Sequence, residues 1–146
     1  MLEEPFPYNL PIFRRSFSTQ SPDGNLLAEI DPAYEVGMSD PTSGTLCISN
    51  GLKIERCNPS MVWSDDSKYL AVPQWFNRLG MFRGQHLLVI DITKGHLFRS
   101  RWYWAYLQPE HFISGLLTVT VNPTYKPKSI AWNIPRDLSL FKQMQK

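Results

Sequence analysis

The side chains able to do chemistry are few and scattered. The three histidines, His86, His96 and His111, have no partner at HxxxH spacing, and the two cysteines, Cys47 and Cys57, form no CxxC pair, so neither set reads as a metal site. Asp65 and Asp66 are adjacent carboxylates, a pattern that serves acid–base work or a cation, yet they occupy a tight-turn sequence where carboxylates cap backbone N–H groups. No GxSxG elbow precedes a nucleophile, and Ser114 before Gly115 follows no strand of the required kind. The eight glycines form no phosphate-cradling loop. The sequence therefore predicts no catalytic residues, no metal and no cofactor, and points away from an enzyme.

Aromatic residues next to arginines are the richer signal. In FRSRWYWAYL (98–107), Arg99 and Arg101 precede Trp102, Tyr103, Trp104 and Tyr106. Such a string can stack nucleic-acid bases. Read as a strand, it puts Trp102, Trp104 and Tyr106 on one face and Arg101, Tyr103 and Ala105 on the other, with one face in the core and the rest a binding spot for protein. A second cluster, PQWFNRLGMFRGQ (73–85), reads as an inserted loop in which Trp75, Phe76, Met81 and Phe82 are flanked by Arg78 and Arg83. Its counterpart, DPAYEVGMSDPTSG (31–44), carries Asp31, Glu35 and Asp40, so the two loops would make a bipolar rim suited to a protein partner.

The elements that must position these residues are short strands. At 146 residues, 42% hydrophobic and 19% charged, the chain has the size and apolar content of one folded domain. A net charge of +2, without runs of one sign, does not call for nucleic acid or an anionic membrane as partner. The acidic, proline-broken N-terminus lacks the pattern of an export signal, and LLVIDI (87–92) is too short to span a membrane. With two cysteines expected as free thiols, the expected location is the cytoplasm.

A period of about 43 residues organises the chain. SPDGNLLAEI (21–30) lies over SDDSKYLAVP (64–73), and a degenerate third copy falls at LQPEHFISGL (107–116). TLCISNG (45–51), VIDITKG (89–95) and AWNIPRD (131–137) form a second landmark in the same spacing. PDGN and DDSK read as turns, LLTVTVN (116–122) as a half-buried strand by its alternation, and LLVI as a strand buried on both faces.

These strings resemble β-propeller repeats of the TolB-like and tryptophan–aspartate classes, with WSDDSKYLAV (63–72) and SPDGNLLA (21–28) closest to the pattern. The resemblance implies an all-β fold of three propeller-like antiparallel four-stranded units, over about 17–58, 59–101 and 102–146, behind an N-terminal arm at 1–16. Three units are too few for a closed ring, so an open or incomplete propeller is expected within a single domain. The last ten residues fit either a fourth strand or a short helix, since Leu138, Phe141 and Met144 also fall at helical spacing. The function expected from these features is non-enzymatic protein binding, as in a small inhibitor or an immunity protein that neutralises a toxin. A subunit that completes a propeller by homodimerisation is the alternative, and a propeller-type hydrolase ranks below both.

Overall fold

A computed structural model describes residues 17–30, 34–35, 42–78, 81–122 and 126–144; the expected arm at 1–16 lies outside them. The fold is all-β with antiparallel sheets. Its strands in chain order are β1 (Phe17–Gln20), β2 (Leu27–Ile30), β3 (Tyr34–Glu35), β4 (Thr42–Ile48), β5 (Lys53–Cys57), β6 (Val62–Trp63), β7 (Tyr69–Arg78), β8 (Met81–Asp91), β9 (His96–Ser100), β10 (Leu107–Ile113), β11 (Leu116–Val121), β12 (Lys128–Asn133) and β13 (Phe141–Met144). One 3-10 turn, Arg136–Leu140, precedes the last strand.

Hydrogen bonding links β1-β2-β4-β5-β7-β8-β9-β13 into one path, with β3 on β4 and β6 on β7, while β10-β11-β12 form a separate sheet. The β5–β7 junction is a single pair, Cys57 with Gln74. Residues of β2, β4 and β5 meet β7 and β8 in one core that includes Ile30, Leu46, Ile54, Leu70, Leu88 and Ile90. The opposite face of the β7–β8 hairpin meets β10 and β11 in a second core built on Leu87, Val89, Leu107, Phe112, Leu117 and Val119. The hairpin is thus a wall shared by two cores, which is why LLVI is apolar at every position. By contrast β11 alternates, with Leu117, Val119 and Val121 buried and Thr118 and Thr120 only partly so.

The turns at 21–26 and 64–69 share one set of hydrogen bonds. Ser21 Oγ donates to Asp23 Oδ1 at 2.7 Å and Ser64 Oγ to Asp66 Oδ1 at 2.6 Å. Each serine Oγ then accepts a backbone N–H five residues on, from Leu26 at 3.0 Å and from Tyr69 at 2.9 Å. Each aspartate accepts the N–H two residues on, from Asn25 and from Lys68, both at 3.0 Å. The segment at 107–116 differs. It runs as β10 through Ile113 and reverses at Ser114 and Gly115, both with positive φ, 51° and 82°, the conformation of a two-residue hairpin. Gly115 is required twice over, because a Cβ there would sit 2.6 Å from the Ile134 carbonyl oxygen.

Three expectations need correction. The third unit is a three-stranded sheet rather than a four-stranded one, because β13 crosses over and pairs with β9 in the register Phe141 to Ser100. The crossover places Phe141 in the second core. The final segment combines both readings, a 3-10 turn at Arg136–Leu140 and then a strand. The segment at 73–85 is not an inserted loop: β7 and β8 run on as a hairpin to the pair Arg78–Met81, with Arg83 as an extra residue between the pairs Phe76–Gly84 and Asn77–Phe82.

Candidate protein-binding surface

The string expected as an aromatic strand, 101–106, is mostly irregular backbone, a strap that pairs antiparallel with β8 at one bridge. The strap is held at its middle by Gln85, whose N–H donates to the Trp104 carbonyl at 2.7 Å and whose carbonyl accepts the Trp104 N–H at 3.0 Å. The buried Gln85 side chain also accepts the Leu107 N–H through Oε1 at 2.6 Å. At the entry to the strap, Ser100 Oγ accepts the Leu87 N–H at 2.9 Å and donates to the Trp102 carbonyl at 2.7 Å. These bonds leave the strap little freedom.

His86 anchors the same corner. Its Nδ1 lies 2.9 Å from the Ser100 carbonyl and 3.0 Å from that of Trp102. Both partners only accept, so Nδ1 carries the proton and Nε2 is the acceptor of the neutral ring. Burial, followed by the positive charge of Arg99, lowers the His86 pKa, against the two carbonyl contacts that raise it. Ring packing completes the corner: Phe76 meets Tyr103 edge-on at 4.7 Å and His86 at 5.1 Å, with His86 and Tyr103 6.0 Å apart.

The strap turns two large rings outward. Trp102 is 69% exposed and Tyr103 58%, with exposed Arg101 directly before them. The expected alternation holds for Arg101, Tyr103 and Ala105, all exposed, against the half-buried Trp104 and Tyr106, and breaks at Trp102, which lies before the single antiparallel bridge that pairs the strap with β8. Trp104 instead packs edge-on against Trp132 at 6.3 Å. Gly84 allows the close approach, since a Cβ there would stand 2.7 Å from the Trp104 carbonyl oxygen and 3.1 Å from the Tyr103 ring.

The residues singled out from sequence divide into three groups. Phe76, Arg101 and Tyr103 come together here. Trp75 is buried, 4% exposed, and packs edge-on to Tyr106, so it belongs to the interior rather than to a contact surface. Arg78, Met81, Phe82 and Arg83 lie on the backbone at the far end of the hairpin, and Glu35 on β3, while Asp31 and Asp40 fall outside the described residues. His86, Gln85 and Gly84 were missed, because nothing local in GQH marks it as the seat of a strap arriving from 16–20 residues later.

Among the described residues no group of three or more His, Cys, Asp or Glu could hold a metal ion. No helix among them is long and apolar enough to cross a membrane. Comparison with protein-family models, curated proteins and solved structures finds no match to this chain.

Proposed function

We propose that the chain is a propeller-like, non-enzymatic protein-binding module of the cytoplasm, a small inhibitor that acts by direct contact in the manner of an immunity protein against a toxin. The observation that carries this reading is the exposed pair Trp102–Tyr103 beside Arg101 on a backbone fixed from both ends. Trp, Tyr and Arg supply most of the binding energy at protein interfaces. A strap already ordered loses little entropy on association, so more of that energy appears as affinity. The propeller-like reading is supported by the two turns that share their hydrogen bonds 43 residues apart and by the stacked antiparallel layers. The cysteines are free, which fits a reducing compartment.

Homodimerisation is the second reading, favoured by the ends of the main sheet: among the described residues β1 and β13 each pair on one side only. Native mass by light scattering separates the two, alone and with candidate genomic-neighbour proteins added. The inhibitor reading expects a 16.9 kDa monomer that captures one heterologous protein. Trp102→Ala with Tyr103→Ala should then weaken capture by about 2 kcal/mol or more, with the unfolding midpoint unchanged. Undiminished capture by that double variant rejects the surface, and a stable dimer without a partner favours ring completion.

A further inference from the structure

Away from the aromatic surface, strands β1, β6 and β10 converge on a second feature. Trp63 on β6 donates its indole N–H to the Thr19 carbonyl of β1 at 3.3 Å, and Asp65 donates its backbone N–H to the Phe112 carbonyl of β10 at 2.9 Å. Between these strands lies a cleft of about 280 Å³, close to the lower end of the roughly 300–1,000 Å³ usual for small-molecule sites. Its walls are largely apolar, from Met61, Val62, Trp63, Phe112 and Ile113.

The charges around it are mostly of one sign. Asp65 and Glu110 line the cleft, and Asp23 and Asp66 stand in the two adjoining turns, which are joined by the Asp23 N–H to Ser67 Oγ at 3.0 Å. Among the described residues, the basic groups shown beside them are His111, which lines the cleft, and Lys68, next to Asp66. The Asp65 carboxylate is held in place by the Ser114 N–H, 3.1 and 3.2 Å from its two oxygens.

A backbone irregularity brings the rest together. Successive residues of a regular strand point to opposite faces, yet the neighbours Glu110 and His111 both line the cleft. The β10–β11 register passes from Pro109–Val119 directly to His111–Thr118, leaving Glu110 as the extra residue of a bulge. Bulges re-aim side chains in this way.

We propose that this cleft binds a small amphipathic organic cation, with an aromatic or branched apolar body against the Met61–Trp63 wall and an ammonium group among the Asp65 and Glu110 carboxylates. The apolar walls favour such a body, and among the described residues the carboxylates outnumber the basic groups beside them. The site lies on different elements from the Trp102–Tyr103 surface, so either can fail alone.

The test is a two-dimensional amide and indole NMR titration of the full chain with 2-phenylethylammonium. 3-Phenylpropanoate and 2-phenylethanol serve as probes of similar size but different charge. Saturable shifts of the Trp63 indole N–H and of the amides of residues 110–113 are expected with the cation, and at least about tenfold weaker binding of the other two. Glu110→Gln combined with Asp65→Asn, which retains an acceptor for the Ser114 N–H, should weaken the cation by about threefold or more. Equal binding of the three probes, shifts confined to Trp102, absence of saturation or an unchanged affinity in the double variant would each overturn the proposal.

Discussion

At the scale of single residues, the polar side chains of this protein mostly serve backbone geometry. Asp23 and Asp66 illustrate it. The Ser21 hydroxyl and then the Asn25 N–H hold Asp23 below the usual carboxylate value of 3.8. Burial acts to raise Asp66, but the Ser64 hydroxyl and the Lys68 N–H outweigh it and the net shift is also downward. His86 shifts the same way from 6.5 for a different reason, burial of a ring whose neutral form makes the needed bonds. In each case the unfolded chain takes up the proton at a higher pH than the folded one. Stability is therefore complete above the unfolded value and declines as the pH falls towards the folded value. The His86 contribution should begin to be lost as the pH falls below 6.5 and the aspartate contributions only below 3.8. Urea unfolding measured between about pH 7 and pH 5 should show a falling midpoint that His86→Gln flattens. A slope unchanged in that variant would remove His86 as its source.

At the scale of elements, the strap and the long hairpin form one device. The hairpin supplies a two-stranded base, and the strap runs alongside β8 where Gly84 has no side chain to hold it off. Gly84→Ala places a methyl group against a carbonyl oxygen that is itself bonded to Gln85, so the neighbouring ring cannot yield alone. The expected cost is about 1–3 kcal/mol in urea unfolding, with loss of near-ultraviolet ellipticity from the Phe76–His86–Tyr103 cluster. A variant that keeps both stability and ellipticity would show that the strap has room to rise. The aromatic string was visible in the sequence as a binding candidate, and its alternation holds from Tyr103 to Tyr106 but breaks at Trp102. Alternation holds where backbone pairing enforces it, and the strap makes its single bridge at Trp104.

At the scale of the whole molecule, the β7–β8 hairpin decides whether there is one folding unit or two. Leu88 faces the first core and Leu87 the second, from adjacent positions on the same strand. Leu87→Ala and Leu88→Ala should each destabilise the entire chain by about 2–5 kcal/mol, with circular dichroism and tryptophan fluorescence reporting one coincident urea transition. Two separated transitions would show that the layers unfold independently. β13, a strand from the last tenth of the chain, extends the sheet begun by the first half by pairing with β9, past the three strands of the second sheet.

Local chemistry was enough to determine much of this protein. Alternation in LLTVTV, continuous apolarity in LLVI and turn residues in SPDG and SDDS settle an all-β chain of antiparallel strands, because strand faces and tight turns depend on residues within reach of one another. Tertiary structure alone decided that β13 pairs with β9, that Trp75 is interior while Trp102 is exposed, and that a bulge turns Glu110 and His111 into one cleft. Those outcomes depend on contacts between residues distant in the chain, where a pairing or a crossing is chosen by what remains to be buried once the nearer strands have met.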